Sequence, residues 1–216
     1  MQSLLNEYLK LLEEIDAWFT GCAATLGPPL IQCREGCSAC CRGLFDITLL
    51  DARLLQEGLS RLPRAVQDQV RQRAGQQLAE LQQRWPGFEA PFYLNQFPDA
   101  EWTEMPEDDM TPCALLGADG RCLVYRFRPQ TCRLHGLPNI DLSGESFSND
   151  WCTLNFVGRN PLPLQELRWG FRTAFEAELA LFHRFTGRLL GEQLNEWDTF
   201  IPTALLIDFA RFERPS

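Results

Sequence analysis

Four cysteines stand within nine residues of the chain, in the segment Cys33-Arg34-Glu35-Gly36-Cys37-Ser38-Ala39-Cys40-Cys41. Thiolates are the preferred ligands of zinc and of iron–sulfur clusters in proteins. Neighbouring side chains tend to point apart, so Cys40 and Cys41 are poorly placed to bind one small ion together. The segment therefore predicts that three thiols face one way and the fourth another, so that a four-thiolate site needs a further cysteine from elsewhere in the chain.

Four more cysteines follow at wider intervals, and we predict that they complete the metal-binding set. The eight candidate metal ligands are Cys33, Cys37, Cys40, Cys41, Cys113, Cys122, Cys132 and Cys152. The ninth cysteine, Cys22, instead continues the apolar stripe of an amphipathic N-terminal helix. Free cysteine is among the most buried residue types, so Cys22 is predicted to be a small core residue.

A disulfide framework is the alternative interpretation of so many cysteines. The N-terminal residues, from Met1 to Lys10, have no basic segment, no uninterrupted apolar stretch and no small-residue cleavage site. We therefore expect a cytoplasmic protein, in which thiols stay reduced and closely spaced cysteines bind metal or act in catalysis.

Length, charge and hydropathy limit the classes of partner. The 216 residues are enough for a domain that buries its own core. A formal net charge of −9 makes nucleic acid a poor partner. No apolar run approaches the roughly 20 residues that a membrane span needs. The expected partner is thus a metal ion or cluster, without nucleic acid or membrane; a protein partner is not indicated.

Helical periodicity dominates the rest of the chain. Apolar residues recur at three- and four-residue steps over 3–20, and Thr48 with Asp51 predicts a capped helix start. Further helices are predicted over about 63–85, 163–190 and 202–212. The turn Gly117-Ala118-Asp119-Gly120 predicts a β-hairpin that brings Cys113 and Cys122 together. We predict a mainly α fold with this small β-hairpin, a cysteine-rich metal-binding loop region and no parallel sheet.

The predicted organisation is a single domain, 1–216, in which a metal-binding core over 33–152 is flanked by helices in 1–26 and 163–216. Five prolines interrupt residues 86–112, and aromatic residues there favour an ordered flap over the cysteine cluster. Five acidic residues in the flap match no calcium-loop spacing and are predicted to be solvated; they are Glu101, Glu104, Glu107, Asp108 and Asp109.

Charged residues surround Cys132. Arg128 and Arg133 could favour its thiolate form, or could form ion pairs that serve the fold. His135 stands at ligand spacing from Cys132, although a lone histidine more often has a structural role.

Taken together, these motifs resemble the YkgJ, or CxxCxxCC, family over roughly 33–152. The resemblance rests on Cys33-x3-Cys37-x2-Cys40-Cys41, the pair Cys113-x8-Cys122, the segment Tyr125-x2-Arg128-Pro129-x2-Cys132-Arg133, and Cys152. It implies a domain that chelates zinc or iron, and flagellin lysine-N-methylases are similar in their cysteine motif. Two features depart from the family pattern: the first gap has three residues instead of two, and Leu134-His135-Gly136 replaces an aromatic residue and a proline.

Three functions remain open at this stage. The chain could bind a metal or cluster in an unassigned role, hold zinc as a structural cross-link, or act as an iron–sulfur enzyme that uses S-adenosylmethionine, such as a protein lysine methylase. Cys33, Cys37 and Cys40 have the spacing of radical S-adenosylmethionine enzymes, which slightly favours a [4Fe–4S] cluster. The chain lacks the alternating strands and helices of those barrels, and the Cys113/Cys122 pair favours zinc.

Overall fold

Helices dominate the computed structural model, which describes residues 1–98 and 110–212. In these ranges the α-helices are α1 Gln2–Leu26, α2 Leu49–Ser60, α3 Arg64–Arg84, α4 Gln130–Leu134, α5 Phe171–Leu190 and α6 Ile201–Ala204. Single 3-10 turns occur at Leu94–Gln96, Tyr125–Phe127 and Gln165–Leu167. The predicted mainly α fold is confirmed. None of the helices described has the length and apolarity that crossing a membrane requires.

The predicted N-terminal stripe forms one wall of the core. Leu4, Leu12, Ile15 and Trp18 on α1 are all buried, and α1 packs against α5. Trp18 also donates its indole N–H to the carbonyl of Leu167 at 3.1 Å. Helix α1 is thereby fixed to the C-terminal part of the chain along much of its length.

Helix α2 begins at the predicted cap. The hydroxyl of Thr48 accepts a hydrogen bond from the backbone N–H of Asp51 at 3.1 Å. The side chain of Asp51 was predicted to cap the helix in return, but it has other partners. It is buried and accepts hydrogen bonds from the Tyr8 hydroxyl and the backbone N–H of Gln130.

Two small sheets complete the described fold. Strand β1 Asp46–Thr48 pairs antiparallel with β5 Asp198–Phe200. In the second sheet, with strand order β3-β2-β4, the strands are β2 Asn139–Asp141, β3 Ser146–Ser148 and β4 Arg168–Trp169. Strand β2 pairs parallel with β4, so the expectation of no parallel pairing was wrong for these two short strands.

The turn at Gly117–Gly120 forms as predicted, but without regular strands. Leu116 and Cys122 make a single antiparallel bridge, and the N–H of Gly117 donates to the carbonyl of Arg121 at 2.8 Å. The regular hairpin of the described chain is β2–β3. Helix α5 begins at Phe171, well after Pro163, because the backbone of residues 168–169 pairs with β2 instead. Helix α6 ends at Ala204, before the predicted boundary at 212.

The two parts of the predicted flap that the structure describes, residues 86–98 and 110–112, contact different parts of the fold. Phe88 and Phe97 contact Trp85, and Phe88 also meets Phe200 of β5 with ring centroids 5.9 Å apart. At the other end, the N–H of Gly43 donates to the carbonyl of Thr111 beside the cysteine loop. Of these two ends, the second adjoins the thiols, and the five acidic residues from Glu101 to Asp109 that were predicted to be solvated lie outside the described ranges.

Close packing of α2 on the 3-10 turn before α4 makes Gly58 sensitive to substitution. A methyl group added at Gly58 would lie 2.6 Å from Cβ of Phe127, so either the backbone of α2 or the side chain of Phe127 would have to move. We expect Gly58→Ala to lower the free energy of unfolding by about 1–3 kcal/mol. Gly75→Ala on α3 is the matched control, because nothing lies within 4 Å of the added methyl group. Gly75→Ala should raise the free energy of unfolding by about 0.5–1 kcal/mol, because alanine has the higher helix propensity. Equal melting temperatures for the two variants would contradict this packing.

Candidate metal centre

The loop over 33–41 is built from two tight turns. The N–H of Cys37 donates to the carbonyl of Arg34, and that of Cys41 donates to the carbonyl of Ser38, each at 3.0 Å. Gly36 has φ +81°, a conformation that suits glycine. The carbonyl of Gly36 lies 3.3 Å from the position of a Cβ at Gly120, so the loop rests on the Gly117–Gly120 turn.

Backbone pairing brings one end of this loop to Cys113. The N–H of Cys113 donates to the carbonyl of Cys41 at 3.0 Å, and Arg42 forms a bridge with Pro112. The Leu116–Cys122 bridge then returns the chain toward the same place. Cys41, Cys113 and Cys122 are thus positioned by backbone contacts between segments distant in sequence.

Asn155 organises the other end of the loop. Its amide N–H donates to the carbonyl of Gly136 at 2.7 Å and lies 3.4 Å from the sulfur of Cys33. Its side-chain oxygen accepts from the N–H of Gln32 at 2.8 Å. The N–H of Cys152 also donates to Gly136, at 3.3 Å, so Asn155 holds Cys33 and Cys152 around one backbone carbonyl. Asn155 was not among the predicted site residues. Its place three residues after Cys152 is the sequence feature that could have indicated it.

Four thiols share one neighbourhood, which we name the first thiol group: Cys33, Cys37, Cys40 and Cys152. Burial raises the pKa of Cys33, and its bond with Asn155 lowers it. The remaining contributions to the Cys33 pKa come from the thiols of Cys152, Cys40 and Cys37, each of which raises it. Such mutual effects require the thiols to lie within electrostatic range of one another.

The other four predicted ligands form a second thiol group: Cys41, Cys113, Cys122 and Cys132. The charges of Cys113, Cys132 and Cys122 all act on Cys41. Burial raises the pKa of Cys132 well above its usual range, and Cys113 and Cys122 raise it further. Burial also raises the pKa of Cys113 to about 11. Cys113 and Cys132 are therefore held in the protonated form at neutral pH, whereas the bond with Cys40 lowers the pKa of Cys41.

The two groups meet at Cys40 and Cys41. Contact between their side chains raises the pKa of Cys40 and lowers that of Cys41. Their thiol neighbours overlap in part. Cys40 raises the pKa of Cys33 and also that of Cys132, whereas Cys113, Cys132 and Cys122 raise that of Cys41.

Arg128 and Arg133 both form ion pairs with helix α1. Both guanidinium groups contact the carboxylate of Asp16 on α1. Arg133 is only 2% exposed and also donates to the carbonyls of Arg126 and Arg128. The two arginines act on a thiol as well, since their charges partly offset the burial that raises the pKa of Cys122. The ion-pair interpretation therefore holds, whereas the expected effect on Cys132 does not: its pKa is raised well above its usual range by burial, and the arginines act on Cys122 instead.

Two further residues, Cys22 and His135, have their described contacts with groups other than the thiols. The Cys22 thiol is buried and donates to the carbonyl of Glu166 at 3.2 Å, and burial raises its pKa to about 11. The ring of His135 packs edge-on against Phe45, with centroids 5.7 Å apart.

The donor set fits zinc or iron–sulfur chemistry, since each group offers four thiols and four-thiolate ligation is typical of both. Among residues 1–98 and 110–212, no three Cys, His, Asp or Glu side chains already converge closely enough to hold an ion. Binding at either group therefore requires its thiols to lose their protons and to move closer together.

Comparison with known proteins agrees with this donor set. The profile of the CxxCxxCC family, described as "Putative zinc- or iron-chelating domain", matches residues 32–153. The matched segment includes all eight predicted ligands and more than half of the chain. No curated protein matches the chain. A search of solved structures gives no match either. The chain belongs to the CxxCxxCC family of zinc- or iron-chelating domains.

Proposed function

We propose that this protein chelates metal at two adjacent centres, each ligated by the four cysteines of one thiol group. The first centre uses Cys33, Cys37, Cys40 and Cys152. The second uses Cys41, Cys113, Cys122 and Cys132. The observation that supports this division is the backbone pairing: the N–H of Cys113 donates to the carbonyl of Cys41, whereas Asn155 holds Cys33 beside the Gly136 carbonyl that accepts the N–H of Cys152.

Each centre would link segments that have little regular structure of their own. The first would tie the loop over 33–40 to Cys152, and the second would tie Cys41 and the turn over 113–122 to α4. Closed sites of four thiolates are typical of structural metals, whereas catalytic sites keep one position open. The proposed role is therefore to hold this part of the fold together, with zinc or an iron–sulfur cluster as the bound species.

The enzyme alternative has less support. An S-adenosylmethionine enzyme would need Cys33, Cys37 and Cys40 to bind a cluster with one iron left open. Cys152 acts on Cys33 together with Cys37 and Cys40, so a fourth thiol is available to close that position. The family description names chelation and no reaction.

Metal content tests the two-centre proposal. Anaerobic purification followed by elemental analysis and visible absorption should give two zinc ions per chain, or iron with acid-labile sulfide sufficient for two clusters and a visible band. A single zinc ion or a single cluster per fully loaded chain would contradict the proposal. A change in the EPR spectrum of the reduced cluster when S-adenosylmethionine is added, together with cleavage of that cofactor, would support the enzyme alternative instead.

Metal uptake is expected to release protons and to tighten as the pH rises. Cys113, Cys122 and Cys132 have pKa values raised by burial, so they are protonated at pH 7 and each must lose a proton on ligation. Filling the second centre should therefore release at least three protons near pH 7, one from each of these thiols. Calorimetric titration of the apoprotein in buffers with different ionisation enthalpies measures this number. Uptake without proton release would show that these thiols are not ligands.

A further inference from the structure

A second candidate site lies on the face of α4 opposite Cys132 and Arg133. It is a cavity of about 420 Å³, which we name the acidic cavity. Helix α4 contributes Gln130, Thr131 and Leu134, and strand β1 contributes Asp46 and Thr48. Its volume is within the range of small-molecule sites in proteins, about 300–1,000 Å³.

The charge in this cavity has one sign. Its lining includes five carboxyl side chains, those of Asp46, Asp51, Asp150, Glu178 and Asp198, and no lysine or arginine. His135 also lines the cavity, and burial lowers its pKa, which favours the neutral ring. Asp46 and Asp150 are exposed at the rim, Glu178 and Asp198 are half-buried, and Asp51 is only 3% exposed. The carboxyl groups therefore extend from the solvent to the buried Asp51, and because burial raises the pKa of Asp51 and of Asp198 to about 7, their full negative charge develops above that pH.

Two amide oxygens at the floor lack a partner. Gln130 and Asn139 line the cavity and are each only 8% exposed. Within the described residues, Oε1 of Gln130 and Oδ1 of Asn139 are buried without a hydrogen-bond donor. An unsatisfied buried acceptor costs about 1–3 kcal/mol, so a ligand that supplies N–H donors here would recover that energy.

The buried carboxyl groups share few donors: Oδ1 of Asp51 accepts from the backbone N–H of Gln130 at 3.2 Å, and Oδ2 of Asp198 accepts from the amide of Asn95 at 3.1 Å. The Tyr8 hydroxyl has one hydrogen to share between Oδ1 of Asp51 at 2.9 Å and Oε1 of Glu178 at 3.1 Å. The other Glu178 oxygen accepts from the amide of Gln130 at 2.6 Å. Burial and the nearby charge of Glu178 raise the pKa of Asp51 to about 7. A bound cation would relieve this crowding of negative charge.

The arrangement suits an organic cation better than a metal ion. Divalent hard cations need several oxygens within about 2.0–2.6 Å of one point. The described carboxylates do not converge in this way and are instead distributed around the cavity. An ammonium or guanidinium group has several N–H donors and no acceptor, which complements a wall of acceptors.

We propose that the acidic cavity binds a small organic cation through its ammonium or guanidinium N–H groups, with Glu178, Asp198 and the oxygens of Gln130 and Asn139 as acceptors. The cation could be a free diamine or guanidine, or the side chain of a basic residue in a peptide. The site adjoins the first thiol group, because Gly136 lines the cavity and its carbonyl accepts the N–H of Cys152, but the proposed contacts use none of the eight cysteines.

Calorimetry on the full-length, metal-loaded protein at pH 8 tests the inference. The probes are 1,5-diaminopentane, agmatine, a blocked lysine peptide and its norleucine counterpart. At least one cationic probe should bind saturably at one per chain, and the norleucine peptide should not bind. Binding of the free amines identifies a small-molecule ligand, whereas binding of the lysine peptide alone identifies a side chain; both support the proposal.

Variants then locate the binding. Glu178→Gln should weaken it at least tenfold, and Glu176→Gln, an exposed residue on the same helix outside the cavity lining, should leave it unchanged. Asp198→Asn provides a second variant if Glu178→Gln fails to fold. Binding unchanged in both cavity variants would overturn the proposal. So would the absence of binding by every cationic probe at millimolar concentration, or saturable binding of Mg²⁺ in place of the amines.

Discussion

Cys132→Ala is expected to lose the metal of the second thiol group while the first group keeps its own, which halves the metal content of the protein. Cys152→Ala should remove the metal of the first group in the same way. A structural zinc ion contributes about 10–16 kcal/mol in small zinc peptides, which rivals the 5–15 kcal/mol net stability of a whole domain. Each variant should therefore also lose solubility or unfold around the missing centre.

Cys22→Ala is the control for both variants. Its thiol is 3% exposed and lies in the apolar core beside Glu166, so its removal should cost on the order of 1 kcal/mol and no metal. Elemental analysis and thermal melting of the three variants measure both quantities. The division into two groups would be wrong if Cys132→Ala and Cys152→Ala each emptied both centres, or if Cys22→Ala lost metal.

Arg133→Ala is expected to have the largest effect on stability outside the thiols, about 3–5 kcal/mol. Its guanidinium group is almost fully buried, contacts Asp16 and donates to two backbone carbonyls that precede α4. Removal of one partner of a buried ion pair leaves the other charge without a partner in a desolvated place. Arg133→Lys should rescue little of the loss, because an ammonium group cannot reproduce the planar set of donors.

An exposed ion pair provides the comparison. Arg172 pairs with Glu145, and both side chains are about half exposed, at 53% and 52%. Arg172→Ala should therefore cost no more than about 1 kcal/mol. Chemical denaturation of both variants measures the difference. A loss below 1 kcal/mol for Arg133→Ala would show that the Asp16 contacts do not hold α4 on α1.

Local signals in the sequence were enough to predict the helices and the capped start of α2. Thr48 and Asp51 are three residues apart, and their bond depends only on that spacing. The same rule failed for the Asp51 side chain, whose partners Tyr8 and Gln130 are 43 and 79 residues away. The parallel pairing of β2 with β4 was likewise missed, since β4 has only two residues and no pattern of its own.

The candidate site shows the same limit. The eight cysteines follow from residue type and spacing, and the family match covers them all. The divergence of Cys40 from Cys41 stays a prediction. The sorting of Cys113 and Cys152 into different groups depends on backbone contacts with Cys41 and Gly136, which spacing does not contain. The acidic cavity was missed for a related reason: its carboxylates come from segments between 46 and 198 that meet only in the folded chain.

X-ray absorption at the metal edge of the anaerobically purified protein is the most direct test of thiolate chelation. We predict that every atom bonded to the metal as a ligand is sulfur. For zinc this means four sulfurs at about 2.3 Å, and for an iron–sulfur cluster it means sulfur neighbours with additional iron–iron scattering. Nitrogen or oxygen neighbours of the metal, or fewer than four sulfurs per zinc ion, would contradict ligation by two complete groups of cysteines.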